Sequence, residues 1–68
     1  MDYLMNENLF NAALASKGMT REDLAKKLGI SRNSLLNKIK RGGDFRKNEI
    51  IAMHKIFGKK VVDGFLFN

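Results

Sequence analysis

The sequence lacks cysteine and proline, and it has one histidine among 68 residues. The absence of cysteine excludes disulfides, a thiol nucleophile and thiolate zinc sites, and one histidine excludes a multi-histidine metal cluster. No apolar run approaches the ~20 residues that a membrane span needs. The first residues include Asp2 and Glu7 and show no signal-peptide pattern. We therefore expect a cytoplasmic protein that holds no metal, cofactor or small-molecule ligand.

Acidic residues are also scarce, with 7 Asp and Glu against 13 Lys and Arg, which gives a formal net charge of +6. Such an excess in a short chain indicates an anionic partner, either nucleic acid or a membrane surface. The length predicts one domain that spans residues 1–68. A domain of this size buries only about 60% of its unfolded surface, so we expect a tight helical core or a dimer. An enzyme cleft is hard to build on this scale.

Glycines separate the apolar-periodic segments, as expected where a helix ends in a left-handed residue. This punctuation predicts four helices and a short apolar tail. Thr20 followed by Asp23 forms a capping-box pattern, and Ser31 is the expected N-cap of the next helix. Periodicity leaves open whether the tail is a helix or a strand. The predicted helices span residues 7–17, 21–28, 32–41 and 47–57, and the tail spans residues 61–67.

The basic charge is concentrated between residues 31 and 47, which carry a net charge of +5. A short helix with one basic face is typical of a protein that binds the phosphate backbone. The alternative is an ordinary solvated face of Lys and Arg.

The segment from Thr20 to Gly42 reads TREDLAKKLGISRNSLLNKIKRG. Two short helices meet at the three-residue turn 29–31, which begins with glycine, and this arrangement predicts a helix-turn-helix. Ala25 is the small residue that a close helix crossing needs, and Ile30 is placed to fill the space under the turn. The alternative is a helical hairpin in an arbitrary small bundle.

These residues carry a family resemblance. The pattern Met19-Thr20-x-x-x-Leu24-Ala25-x-x-Leu28-Gly29-Ile30-Ser31-x-x-x-Leu35 resembles the Cro/lambda-repressor-like (XRE-type) helix-turn-helix regulators of bacteria and phages. Asp44-Phe45-x-x-x-Glu49-Ile50-Ile51 resembles the start of the fourth helix of that family, and the tail with Phe65 and Phe67 resembles its last helix. The resemblance implies an all-α compact bundle of four to five short helices that binds operator DNA, usually as a dimer.

One position departs from the family pattern. Many members have an apolar residue three places after the one that matches Leu35, but this chain has Lys38 there and places the apolar residue at Ile39. The departure affects the register in which the recognition helix, residues 32–41, meets the bases.

A helical projection of residues 32–41 places Leu35, Leu36 and Ile39 on one face and polar residues on the other. The first turns of a recognition helix reach base edges in the major groove, where Arg suits guanine and Asn suits adenine. For Arg32 a phosphate contact is an equal alternative. The residues predicted to read bases are Arg32, Asn33, Ser34, Asn37 and Lys38.

A second set is predicted to contact phosphates, because its members open the helix before the turn or flank the far side of the recognition helix. For Thr20 a capping role alone is an equal alternative. The set is Thr20, Arg21, Lys40, Arg41, Arg46 and Lys47.

The apolar tail exceeds what so small a core easily hides. We expect part of it to form a homodimer interface, and the alternative is that it closes the core of the monomer. The residues concerned are Val61, Val62, Phe65, Leu66 and Phe67.

Together these features predict a sequence-specific, double-stranded-DNA-binding transcriptional regulator, of the phage or prophage Cro-like repressor kind. No nucleophile–base pair can be assembled around the lone His54, so we expect no enzyme. The main alternative is a protein-interaction module such as an antirepressor that binds a partner repressor, which the basic, Asn-rich face disfavours. RNA binding is disfavoured because the Phe residues fall on predicted core faces. An autoregulating antitoxin stays open.

Overall fold

The computed structural model describes residues 5–67, and all of its regular structure in that range is helical. The apolar tail forms a helix, which settles the alternative that periodicity left open. The predicted bounds of the second and fourth helices are confirmed, and the first and third each end one residue earlier than predicted. The helices are α1 (Glu7–Ser16), α2 (Arg21–Leu28), α3 (Arg32–Lys40), α4 (Lys47–Phe57) and α5 (Lys59–Leu66).

The helix starts follow the capping chemistry of the sequence. The side chain of Thr20 accepts a hydrogen bond from the Asp23 backbone N–H, and the Asp23 carboxylate accepts one from the Thr20 N–H, which completes the predicted capping box. Ser31 caps α3 through a 3.1 Å hydrogen bond from the Ser34 N–H. Arg46 occupies the N-cap position of α4, and its backbone N–H donates to Glu49 at 2.8 Å.

The core is a cluster of apolar side chains from all five helices. Phe65 of α5 lies edge-to-face against Phe10 of α1, with ring centroids 5.2 Å apart, and against Phe57 of α4 at 6.0 Å. Burying each such side chain contributes about 1.5–3 kcal/mol. Leu9 of α1 lies outside this core, because 48% of it is exposed.

Two helix groups share this core. α5 packs against α1 and α4, while α2 packs against α3 and α4. Backbone hydrogen bonds from Met5 N to Gly42 O, at 3.1 Å, and from Asn6 N to Phe65 O, at 2.7 Å, fasten the start of the described chain to the α3–α4 loop and to α5. The single histidine, His54, is on α4, and its Nε2 lies 3.7 Å from Oδ1 of Asp63 on α5. None of the helices in residues 5–67 has the length and apolar character to cross a membrane.

Candidate nucleic-acid interface

The turn between α2 and α3 sets the angle of the candidate interface. Gly29 adopts a left-handed conformation with φ 75°, and the Ile30 N–H donates to the Ala25 carbonyl at 3.0 Å. This bond pattern ends α2 and reverses the chain toward α3. Ala25 is almost fully buried and Ile30 is half-buried against the core. Ile30 thus packs against the core beside the turn, and Ala25 lies in the core.

α3 presents one polar face to solvent. Leu35 and Ile39 are buried in the core. Asn33 and Asn37 are exposed, and their spacing of four residues puts the two amides on the same face, one helical turn apart. Arg32 is also exposed and lies at the N-terminus of α3, where its side chain has no ion-pair partner among residues 5–67.

Ser34 belongs less clearly to that face. It is half-buried, and its hydroxyl is 3.0 Å from the hydroxyl of the N-cap residue Ser31. Its backbone N–H donates to the same Ser31 oxygen. Ser34 is therefore part of the cap of α3, and a base contact would have to compete with this hydrogen bond.

Lys38 differs from its predicted placement on the base-reading surface. Its Nζ lies 3.3 Å from Oε1 of Glu49, and only 17% of its side chain is exposed. The physical reason is its position three residues after the buried Leu35, which puts Lys38 at the edge of the core-facing side of α3 and covers most of its aliphatic stem. The ammonium group then meets the N-terminal turn of α4 instead of solvent.

Glu49 is the residue of this region that the sequence prediction missed. It is 4% exposed, accepts a hydrogen bond from the Arg46 backbone N–H and forms an ion pair with Lys38. A signal was present in the sequence, since a lysine at a position that is usually apolar requires a buried acid nearby. The spacing Arg46-x-x-Glu49 is also that of a helix N-terminus.

Four of the predicted DNA-binding cations lie free at the surface. They are exposed, and no carboxylate in residues 5–67 lies within ion-pair distance of them; they are Arg32, Lys40, Arg46 and Lys47. Arg41 is 72% exposed and lies 3.9 Å from the exposed Asp44, a contact that contributes little in water. These side chains are available to an anionic partner.

Arg21 is held against α1. Its Nη2 donates to Asn11 Oδ1 at 2.9 Å and lies 3.5 Å from Glu7 Oε2, while the guanidinium lies 5.5 Å from the ring centroid of Phe10. Both polar contacts use one nitrogen, so the N–H groups on Nη1 and Nε stay available for a phosphate.

The N-terminus of α2 also carries a carboxyl group, that of Asp23, whose pKa is lowered. Hydrogen bonds from the backbone and side chain of Thr20 hold the pKa of Asp23 below its ordinary value of 3.8, and Lys26 and Lys27 lower it further. Asp23 is therefore ionised at neutral pH and balances the positive end of the α2 dipole. Thr20 acts as a cap, and its exposed position leaves a phosphate contact open.

Comparison with known proteins identifies the arrangement. A family model described as helix-turn-helix matches residues 11–63, which is more than half of the chain. The chain belongs to the XRE-type helix-turn-helix family. No curated protein and no solved structure gives a significant match.

Membership of the XRE-type family assigns the elements their roles. The match begins in α1 and ends in α5, so it contains the whole α2–turn–α3 unit. α2 is the first helix of the helix-turn-helix and α3 is the recognition helix. The protein is therefore a DNA-binding regulator of transcription.

Proposed function

We propose that this XRE-type protein is a sequence-specific repressor that binds double-stranded operator DNA with α3 in the major groove. The observation that carries the proposal is the exposed pair Asn33 and Asn37, one turn apart on α3, with free cations on either side. Asparagine amides pair in bidentate fashion with adenine N6 and N7, and Arg32 at the start of α3 suits guanine O6 and N7. Ser34 is a further candidate, through its hydroxyl. Lys38 is left out of the base-reading set because Glu49 binds it.

Phosphate contacts supply the affinity in this proposal. Arg46 and Lys47 lie at the N-terminus of α4, and Lys40 and Arg41 lie at the C-terminus of α3, so the cations flank the recognition helix on its far side. Thr20 and Arg21 at the N-terminus of α2 complete the set on the near side. Such contacts fix the orientation of the protein on the duplex but carry no sequence information.

A homodimer is the second part of the proposal. The predicted interface of the tail is corrected at three residues, because Val62, Phe65 and Leu66 are buried in the core of the monomer and cannot contact a second copy. Val61 is 46% exposed and Phe67 is 62% exposed. Val61 lines an apolar groove between α1 and α5 together with Leu9, which is also exposed. A second copy that covers this groove would bury large apolar side chains now in water.

The proposed dimer predicts the form of the operator. Two copies related by a two-fold axis recognise half-sites about 10 bp apart, or a multiple of that spacing. We further propose that residues 1–68 act as one regulatory domain of the Cro-like phage or prophage kind. We also propose that it acts in the cytoplasm of a bacterial cell, at the nucleoid, because genomic DNA is its proposed target.

Selection from a random duplex library at ~150 mM salt tests the proposal. The enriched duplex is then compared with a scrambled duplex of the same composition. A palindromic winner bound at least ~1000-fold more tightly than the scrambled duplex is the expected result. Weak, salt-sensitive binding with no enriched site would contradict it and favour a protein partner, as for an antirepressor.

A further inference from the structure

Glu49 is a buried acid shared by two elements. It is the one charged residue in the range 5–67 that is almost wholly buried, at 4% exposed. Its Oε1 accepts a hydrogen bond from the Arg46 backbone N–H at 2.8 Å, and the same oxygen lies 3.3 Å from Nζ of Lys38. One carboxylate therefore joins the N-terminus of α4 to the last turn of α3.

Lys38 holds the same junction through its backbone. Its carbonyl accepts hydrogen bonds from the N–H groups of Gly43, at 3.0 Å, and Asp44, at 3.2 Å. The side chain thus binds the start of α4 while the main chain binds the loop that leads there. Lys38 of the recognition helix therefore has one contact with α4 and two with the loop that precedes it.

The two helices that Lys38 and Glu49 join have different proposed roles in DNA binding. Lys38 follows Asn37, which is proposed to read a base, while Glu49 lies two residues after Lys47, which is proposed to contact a phosphate. A buried ion pair is weak evidence for stability, because desolvation opposes the attraction between the charges. The ion pair nevertheless requires a particular distance and orientation of its two side chains, whereas an apolar contact does not. An apolar side chain at residue 38 would fill the same space without fixing how α3 is set against α4.

We infer that Lys38 and Glu49 are positioning residues, which fix the base-reading face of α3 relative to the phosphate-binding N-terminus of α4. This inference rests on the proposed DNA-binding function. Neither side chain touches DNA in this account. Their loss lowers the discrimination between sequences, while the number of phosphate contacts stays the same.

The test compares Lys38→Met, Glu49→Gln and the double variant with the wild type, each on the duplex enriched by selection and on its scrambled form. Glutamine keeps an oxygen for the Arg46 N–H, and the double variant leaves no unpaired charge in the interior. Lys38→Arg is the conservative control. Asp44→Asn is the matched charge control, because it removes an exposed acid from the same loop. Binding is measured where circular dichroism shows every variant folded.

The expected result is a loss of about tenfold in the ratio of specific to scrambled binding for each single variant, and a similar loss in the double variant. The dependence of affinity on salt stays near that of the wild type, and Lys38→Arg retains most of the ratio. A direct contact of Lys38 with DNA predicts the opposite. Lys38→Met would then lower the salt slope by about 0.9, and Glu49→Gln would bind more tightly, like Asp44→Asn, with its ratio unchanged. That outcome would overturn the inference.

Amide chemical shifts of the free protein give a second readout that needs no DNA. Lys38→Met and Glu49→Gln are each expected to move the resonances of both Asn37 and Lys47, whereas Asp44→Asn leaves these two residues unmoved. Changes confined to the neighbours of the substituted residue would overturn the inference. If the wild type selects no DNA site but the shifts move together, the proposed DNA function fails and the positioning role of the pair stands.

Discussion

Gly43, in the loop after the recognition helix, lies directly against Leu66 of the last helix. A Cβ atom added at Gly43 would lie 3.0 Å from Cδ2 of Leu66 and 3.2 Å from Cβ of Met5. The backbone there has φ +92°, which side-chain-bearing residues rarely adopt. The α3–α4 loop is therefore pressed against α5 and the start of the described chain, and glycine is what allows it.

Gly43→Ala is predicted to destabilise the fold by about 1–3 kcal/mol, because it adds backbone strain and displaces core side chains. Urea unfolding measures this loss. Gly64→Ala is the matched control, since Gly64 lies inside α5 with no neighbouring heavy atom within 4 Å of the added Cβ. That change is expected to stabilise by about 0.5–1 kcal/mol. A Gly43→Ala variant as stable as the wild type would contradict the close packing.

The lowered pKa of Asp23 predicts how the stability of the fold depends on pH. Because the folded-state pKa of Asp23 lies below its ordinary value of 3.8, the ionised carboxylate stabilises the fold above that value. The contribution is present in full at neutral pH and is lost as the pH falls through the lowered folded-state pKa. Asp23→Asn is therefore less stable than the wild type at pH 7. The difference begins to shrink as the pH falls below 3.8, and it disappears only below the lower folded-state pKa.

Urea unfolding of both proteins from pH 7 down to strong acid checks this dependence. Glu22→Gln is the control, because Glu22 is the neighbouring acid in the first turn of α2 and the structure gives it no capping bond. A difference between wild type and Asp23→Asn that persists in strong acid would show that the carboxylate charge is not its source.

The phosphate set predicts a change in salt dependence. Arg41→Ala and Arg46→Ala should each weaken binding to enriched and scrambled duplexes alike, and each should reduce the slope of log affinity against log salt by about 0.9. Lys55→Ala is the control, because Lys55 lies eight residues beyond Lys47 on α4, about 12 Å along the helix. A slope that Arg46→Ala leaves unchanged would remove Arg46 from the phosphate set.

The proposed dimer can be tested without DNA. Val61→Asp places a charge in the α1–α5 groove and should weaken self-association at least about tenfold, with the helical content retained. Analytical ultracentrifugation over a range of concentrations measures this change. Ile51→Asp is the matched control, since Ile51 is 45% exposed on α4 and does not line the groove. A monomeric wild type on and off DNA, or equal effects of the two variants, would contradict an interface at this groove.

Much of the fold could be predicted from the sequence, because its local signals agree. The capping box at Thr20 and Asp23 and the left-handed Gly29 fix both ends of α2 within a few residues of chain. The tail was different. The apolar pattern that includes Val62 and Phe65 fits a helix or a strand equally well. Only the packing of this segment against α1 and α4 decides that it is helical.

The candidate site was less accessible to sequence reasoning. The exposed face with Asn33 and Asn37 follows from helical periodicity alone. The pairing of Lys38 with Glu49 joins residues from two helices, and a projection of α3 by itself cannot show an acid that arrives from α4. The same limit applies to Arg21, whose partner Asn11 lies ten residues earlier on α1.

The claim that α3 reads the operator is tested most directly by the discrimination of Asn37 between base pairs. The affinity of Asn37→Ala is measured at ~150 mM salt for the enriched duplex, for each of its single base-pair variants and for the scrambled duplex. We expect Asn37→Ala to lose about 1–3 kcal/mol of discrimination between bases at one base pair of each half-site, with its affinity for the scrambled duplex unchanged. Lys55→Ala should leave the whole profile intact. An equal loss on enriched and scrambled DNA would contradict the claim that α3 reads the operator through this residue.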